Sequence, residues 1–155
     1  MKKNLLLIVI FYFALIISSY GAASSGSGGS SNYDKGATII KKGKKLEEKG
    51  KIEKANKLYL KAYNKFEKAY AKNKKSADIL NYLGYTLRKT GNFEKAEEFY
   101  LKGLKLDASH LGINEYLGEL YVQTSRIELA KERLQVLKGC KCEEYNELKE
   151  LIEKN

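Results

Sequence analysis

The two cysteines are the residues whose type and spacing most directly suggest chemistry. Cys140 and Cys142 form a C-x-C pair, and two cysteines in an oxidising compartment favour a disulfide. A ring closed over one intervening residue is small and strained, and strained disulfides are readily reduced. A local staple of a turn is the leading hypothesis. The alternatives are a redox-active pair, pairing between molecules, and two soft ligands for copper or zinc, although the single histidine, His110, has no predicted partner.

The remaining polar residues do not predict catalysis. An enzyme needs a nucleophile, a base or a metal held in a recess. The sequence contains no glycine-rich phosphate loop, no Ser-His-Asp set and no histidine-rich metal spacing. Acidic pairs such as residues 97–98 and 143–144 are adjacent, so on a helix their side chains diverge and solvate a face. We therefore expect a protein that is not an enzyme, with no catalytic residue, no cofactor and no metal.

The first residues have the composition of an export signal. Lys2 and Lys3 precede an uninterrupted apolar run over residues 5–17, and small residues follow, as in a secretory signal peptide. As a helix the run would rise about 20 Å, short of the roughly 30 Å hydrocarbon core that a membrane anchor must cross. We predict a signal peptide over residues 1–23, cleaved after Gly21 or Ala23. The mature protein would be periplasmic or secreted, with no transmembrane segment after cleavage.

The rest of the chain divides into a spacer and one folded domain. Residues 21–31 contain only Gly, Ala and Ser, which predicts a flexible Gly/Ser linker over residues 24–33. The whole chain has 155 residues, of which 43% are hydrophobic and 31% charged. These values are typical of a folded domain and exclude a disordered protein. The domain is expected to span residues 34–155.

This domain is internally repetitive. At an offset of 34 residues, Tyr-Leu-Gly at 82–84 falls on the same tripeptide at 116–118, and at an offset of 41, Tyr-Leu-Lys at 59–61 falls on 100–102. The second offset is longer by seven residues, two helical turns, so the first unit is expected to have a longer second helix. We place the units at about residues 36–76, 77–110 and 111–139, with a C-terminal cap at 142–155.

The repeat resembles the tetratricopeptide repeat, most clearly in the middle unit at Leu83, Gly84, Ala96 and Tyr100. The resemblance covers about residues 36–139. It implies an all-α fold: a right-handed α-solenoid of about three helix pairs closed by a C-terminal capping helix. It also implies that the protein holds a partner protein or peptide.

Hydrophobic periodicity and capping residues set the expected elements. Seven helices are predicted, at about residues 35–49, 52–74, 77–90, 93–106, 110–124, 127–138 and 143–154. Asn92 is the expected N-cap of the fourth, and Ser125 with Glu128 would form a capping box before the sixth. Small residues are expected where paired helices meet, at Gly84, Ala96 and Ala130, with Tyr59, Tyr100 and Leu134 filling the gap to the next unit.

The resemblance implies that the first helices of successive units line a concave groove. The predicted partner-binding groove consists of Lys41, Lys44, Asn81, Tyr82, Tyr85, Arg88, Lys89, Glu115, Tyr116 and Glu119. Tyrosines flanked by both charge signs suit a peptide, because a ring anchors at low entropic cost and carries a polar group. The alternative is that Tyr82 and Tyr116 pack on each other between units. The family's clamp for a C-terminal carboxylate is not visible, because its positions hold Ile40, Lys44, Tyr82, Gly112 and Tyr116.

Charge is concentrated in the first unit. Residues 32–76 contain 15 Lys against 5 acidic residues, whereas residues 77–155 contain 12 basic and 14 acidic residues. Seven of these lysines recur at three- and four-residue steps and form a basic stripe: Lys51, Lys54, Lys57, Lys61, Lys65, Lys68 and Lys72. The stripe could meet phosphate groups, an anionic envelope surface or an acidic partner. A solvated face is the favoured interpretation. Nucleic acid is not expected, because export removes that substrate and arginine occurs only three times.

Together these features predict a non-catalytic scaffold or adaptor of the bacterial cell envelope that binds a partner segment in the groove. The alternative is a cationic envelope-docking protein that binds anionic polymer, lipid or an acidic partner through the basic stripe.

Overall fold

The computed structural model describes residues 31–155, which fold into seven helices and no strand. These are α1 (Asn32–Glu47), α2 (Ile52–Lys72), α3 (Ala77–Lys89), α4 (Phe93–Leu104), α5 (Leu111–Gln123), α6 (Ile127–Leu137) and α7 (Glu143–Glu153). The predicted all-α class is confirmed. The predicted signal peptide and residues 24–30 of the predicted linker lie outside the described residues. Among those described, no helix is both long and apolar enough to cross a bilayer.

The helices pack as consecutive pairs. The most extensive contacts join α1 with α2, α3 with α4, and α5 with α6. Neighbouring pairs meet where α2 packs on α3 and α4 packs on α5, while α7 packs against both α5 and α6. This is the predicted arrangement of three helix pairs and a C-terminal cap. A helix pair with two apolar sides buries them only against its neighbours. The stack buries two hydrophobic clusters, and the partly buried Tyr63, Phe99 and Tyr116 pack against both.

Glycines allow the two helices of a pair to approach closely. A Cβ built at Gly84 would lie 2.5 Å from the Tyr100 ring, and one at Gly43 would lie 2.6 Å from the Tyr59 ring. Tyr59 and Tyr100 are both fully buried, as the repeat pattern predicted. The third pair departs from the pattern. There Leu148 of α7 occupies the space beside Gly118, and a Cβ built at Gly118 would lie 2.5 Å from the Leu148 side chain.

In this third pair, Leu148 occupies the place that was predicted for Leu134. Leu134 was expected to fill the third gap, and it is only half-buried, whereas Leu137 and Leu148 are completely buried. That prediction was wrong because α7 inserts its own apolar side between α5 and α6. A helix that follows the last repeat covers an end that the repeat pattern leaves undescribed.

Two local predictions at helix starts were also wrong. The predicted linker runs to residue 33, but α1 already begins at Asn32, because Ser31 and Asp34 form a capping box. The predicted box at Ser125 is absent: Ser125 has φ 59°, and the N-cap of α6 is Arg126. Asn92 does cap α4, accepting from the Lys95 N–H. The predicted helix bounds otherwise hold to within three residues.

Candidate functional site

The first helices of the three pairs line one groove, in which all ten predicted groove residues lie. Three adjoining pockets make up the groove, with volumes of about 420, 330 and 450 Å³. Tyr116 lines all three, so they are compartments of one depression. The structure adds residues that were not predicted. Ala37, Thr38 and Ile40 of α1 line one end, and Glu144 and Glu147 of α7 line the other.

The floor of the groove is built around Arg88. Its guanidinium carbon lies 5.6 Å from the Tyr85 ring centroid and 5.5 Å from that of Tyr116. Its Nη1 forms a 2.7 Å ion pair with Glu119 and donates to Gln123 at 3.3 Å. Arg88 is only 4% exposed and its charge is paired with Glu119, although its Nε has no hydrogen-bond partner among residues 31–155.

The groove tyrosines pack in two separate sets. Tyr82 stacks on Phe66, with centroids 4.7 Å apart and planes 4° apart, and meets Tyr33 edge-on at 5.7 Å. Tyr116 meets Tyr85 at 5.0 Å. Tyr82 and Tyr116 therefore pair with other rings and not with each other, contrary to the alternative interpretation. Tyr85 is buried at 3% exposure, whereas Tyr82 and Tyr116 are half-buried and keep part of each ring accessible.

Lysines dominate the α1 end of the groove. Lys41 and Lys44 line the first pocket, which no acidic side chain lines. Lys44 Nζ lies 5.3 Å from the Tyr85 centroid and donates to the Tyr116 hydroxyl at 3.4 Å. Both lysines are exposed, and neither forms an ion pair with any residue in 31–155. Their charges are therefore available to an acidic group of a ligand.

Lys89, by contrast, is engaged by Glu47. The two form an ion pair, and Glu47 also accepts from the Tyr59 hydroxyl at 2.6 Å. Burial alone would raise the pKa of Glu47, but the hydrogen bonds from Lys89 and Tyr59 outweigh it and hold that pKa below its usual value. Lys89 thus lines the groove as part of its wall.

Carboxylates dominate the opposite end. Oxygens of Glu115, Glu119 and Glu147 all lie within 4.8 Å of one another, and Glu115 is only 3% exposed. Burial, the hydrogen bond with Glu147 and the charge of Glu119 raise the pKa of Glu115 to about 9. The contribution of α7 to the groove was not predicted. The sequence did hint at it, because Glu144 and Glu147 are three residues apart and therefore share one face of the helix.

His110 and the two cysteines each have a partner within the described residues. His110 is the N-cap of α5: its Nδ1 accepts from the Ile113 N–H at 3.2 Å, and its Nε2 lies 3.2 Å from Asp78. The structure thus supplies the partner that sequence reasoning missed. Cys140 and Cys142 are joined in a disulfide in the turn before α7. Within residues 31–155, the only cluster of three potential metal ligands is the glutamate group, which includes neither cysteine.

The basic stripe lies along α2, opposite the buried residues of that helix. Six of its lysines are exposed and Lys65 is half-buried. None of the seven forms an ion pair with another residue of the described range. The stripe lines none of the three groove pockets. It is therefore a surface separate from the groove.

Part of the chain matches a known repeat family. Residues 39–109 match the model of the tetratricopeptide repeat. No curated protein sequence matches the chain.

Several solved structures have a similar fold. The Arabidopsis OM64 TPR domain is 15% identical, with a TM-score of 0.50 over 79% of this chain and 98% of that one. The Yersinia enterocolitica type III secretion translocator chaperone SycD is 16% identical, with a TM-score of 0.51 over 78% and 83%. The Sgt2 TPR domain from Aspergillus fumigatus is 15% identical, with a TM-score of 0.51 over 81% and 83%. At these identities the likeness concerns the fold.

Proposed function

Because residues 39–109 match the tetratricopeptide repeat, we propose that this chain is a non-catalytic interaction module that binds an extended segment of a partner protein in its groove. The observation that carries the proposal is the continuity of the groove, in which Tyr116 lines all three pockets. SycD, for its part, has been crystallised with a peptide of the translocator YopD.

The accessible chemistry of the groove suits a peptide. The half-buried rings of Tyr82 and Tyr116 offer apolar faces with little side-chain entropy left to lose, because packing already holds them. Exposed Lys41 and Lys44 provide donors at one end. A segment that runs across the rings would bury apolar area in the middle and make charge-assisted hydrogen bonds at its side chains.

The setting we propose is the bacterial cell envelope, with the protein periplasmic or secreted. The support for this setting is the order of basic, apolar and small residues over positions 1–23. Intact-mass measurement of the protein from a periplasmic fraction tests it. A mass that corresponds to a start after Gly21 or Ala23 is the expected result, and a full-length mass would refute the export proposal.

A steric block of the groove tests the function. Tyr85 is a poor choice for mutation, because a side chain only 3% exposed is part of the core. Thr38 is exposed and lines the first pocket, so Thr38→Trp would fill that pocket and leave the core unchanged. Asn64→Trp on α2 is the matched control, since Asn64 is equally uncharged and exposed but lines none of the groove pockets.

The assay is selection from a random-peptide phage library, followed by affinity measurement with the enriched peptides. We expect Thr38→Trp to weaken binding at least about tenfold, which corresponds to about 1.4 kcal/mol, and Asn64→Trp to leave it unchanged. Two results would count against the groove. One is that no peptide is enriched, and the other is that the two variants bind the enriched peptides equally well.

A second candidate function is docking on an anionic envelope surface through the basic stripe. It is favoured by one observation, the absence of ion pairs to any of the seven lysines within residues 31–155. Each lysine near an anionic lipid surface contributes about 1 kcal/mol. Changing Lys57, Lys61 and Lys65 to Gln should therefore weaken binding to phosphatidylglycerol vesicles by about 3 kcal/mol.

Salt separates the two candidates, because it screens exposed charges much more than buried contacts. Vesicle binding should vanish at high ionic strength and be unaffected by Thr38→Trp. If the triple Lys→Gln variant binds these vesicles as well as the wild type does, the stripe is only a solvated face.

A further inference from the structure

The third pocket of the groove has a distinct lining. It lies where α3, α5 and α7 meet and has a volume of about 450 Å³. We call it the acidic pocket and define it by Asn81, Asp107, Glu115 and Glu144, with Tyr82 and Tyr116 as its wall towards the rest of the groove. The lining contains no lysine or arginine. Its one histidine, His110, is already held by Asp78 and by the Ile113 N–H.

A second observation, independent of the acidic residues, points to a hydrogen-bond donor as the missing partner. Asn81 is 7% exposed, and its Oδ1 has no hydrogen-bond partner among residues 31–155. Buried polar atoms are nearly always paired in proteins, and an unpaired acceptor is costly. A ligand group with several N–H donors would pair with this oxygen and with the carboxylates of the same pocket.

We propose that the acidic pocket binds the ammonium or guanidinium group of a lysine or arginine side chain of the groove's peptide ligand. This inference rests on the proposed function and specifies the ligand for it. The ammonium group offers three donors and the guanidinium five, enough for Asn81, Glu115 and Glu144 together. Tyr82 and Tyr116 line both this pocket and the lysine-lined first pocket, so a basic ligand residue would enter directly beside the tyrosine rings.

The neighbouring carboxylates favour an organic cation over a divalent metal ion. Of the three clustered glutamates, Glu119 is already paired with Arg88 at 2.7 Å. The positive charge of Arg88 would oppose a divalent ion placed at the centre of that cluster. Of the pocket's own carboxylates, Asp107 is exposed and Glu144 is half-buried, and neither forms an ion pair within residues 31–155. A flexible basic side chain can reach them from the groove without displacing the ion pair of Arg88 with Glu119.

Two neighbouring glutamates on α7 provide a matched pair of variants. Glu144 is half-buried and lines the pocket, whereas Glu143 is exposed and is not part of its lining. Glu144→Gln and Glu143→Gln remove the same charge from the same turn of helix. They therefore separate an effect of the pocket from an effect of net charge.

The test is an NMR titration of the protein with N-acetyl-lysine methylamide and N-acetyl-arginine methylamide. The neutral probe is the lysine compound acetylated at Nε. We expect the cationic probes to shift the backbone amides of Gly112 and Glu115, and the neutral probe to leave them unshifted. Glu144→Gln should weaken binding about fivefold, as expected for one partly solvated charge-assisted hydrogen bond, while Glu143→Gln should not.

Three results would overturn the inference. The neutral probe could shift the same amides equally, the two variants could behave alike, or calcium could shift these amides while the cationic probes do not. The result is separable from that of the groove test. If the cationic probes bind here but Thr38→Trp leaves selected peptides bound, the groove function fails and the pocket stands. If Thr38→Trp blocks peptides whose Lys→Gln versions bind equally well, the groove stands and the pocket assignment fails.

Discussion

The buried carboxyl group of Glu115 should make the protein less stable as pH rises through neutrality. Glu115 is 3% exposed and faces Glu119 on its own helix and Glu144 and Glu147 on α7. Arg88 of α3 is paired with Glu119, and no ion pair of Glu115 is present within residues 31–155. Replacing Glu115 with Gln keeps the shape and a hydrogen-bond donor towards Glu147 but removes the charge that burial disfavours.

The sign follows from proton binding. Burial and the neighbouring acids raise the pKa of Glu115 in the folded state to about 9, against an ordinary value of 4.5. The folded protein therefore holds a proton that the unfolded chain has already lost. The stability this contributes is complete below the unfolded pKa and is lost as pH rises through the folded one.

The magnitude is bounded by the release of one proton, at most about 1.4 kcal/mol per pH unit. Exposed Glu147 shares the hydrogen bond and takes part of the charge. We therefore expect a loss of about 2 kcal/mol between roughly pH 5.5 and pH 8.5. The lowered pKa values of Asp34, Glu47 and Glu150 act in the opposite sense but below this window. Glu115→Gln should be about 2 kcal/mol more stable than the wild type at the upper pH.

The assay is urea unfolding followed by far-UV circular dichroism at both pH values. Glu143→Gln is the control, because it removes one exposed charge from α7 outside the pocket. The reasoning is refuted if the wild type is equally stable at the two pH values. It is also refuted if Glu115→Gln retains the same pH dependence as Glu143→Gln.

Three further changes test the packing that shapes the groove, each by urea unfolding. Ser125→Gly should stabilise the folded protein by about 0.5–1 kcal/mol, because glycine adopts the left-handed backbone at φ 59° without strain. Gly91→Ala, at φ 85°, should destabilise it for the same reason. A loss of stability in Ser125→Gly would contradict this explanation. Gly84→Ala should lower the free energy of unfolding by about 1–3 kcal/mol, because the added Cβ would lie 2.5 Å from the Tyr100 ring. Gly139→Ala is the control and should be neutral, since no atom lies within 4 Å of its added Cβ. Equal effects of the two changes would rule out the close contact at Gly84. Arg88→Met should lower the free energy of unfolding by about 2–4 kcal/mol, because it leaves Glu119 unpaired. Adding Glu119→Gln to this variant should recover part of the lost stability. If the effects of the two substitutions simply add, the two side chains are not coupled.

The helices and the composition of the groove could be predicted because both depend on local information. Helix bounds follow from apolar periodicity and from caps such as Asn92. The repeat shows which residues occupy equivalent positions in successive units, and these positions determine which helix of each unit faces the groove. The same equivalence could have corrected the error at Ser125. Gly91 plus the 34-residue offset is position 125, and both residues adopt a left-handed conformation.

Burial within the groove could not be predicted, since it depends on how helices from different units lean together. Residue type alone places Arg88 and Glu115 in water, yet they are 4% and 3% exposed. The position of α7 is the other missing element. Its amphipathic pattern predicts a cap, but only the packed structure shows that Leu148 occupies the space beside Gly118 and that Glu144 lines the groove.

These differences change which predicted groove residues can select a ligand. The charges on the floor and wall compensate one another, in the pairs of Arg88 with Glu119 and of Lys89 with Glu47. The uncompensated charges lie at the two ends, as the exposed lysines on the α1 side and the carboxylates of Asp107 and Glu144 at the third pocket. A ligand that enters in the reverse direction would place like charges together at both ends, and such contacts discriminate between partners more strongly than they add affinity. The tyrosine rings between the ends can accept many apolar residues, so the proposed function implies that specificity comes from the order of charges along the bound segment.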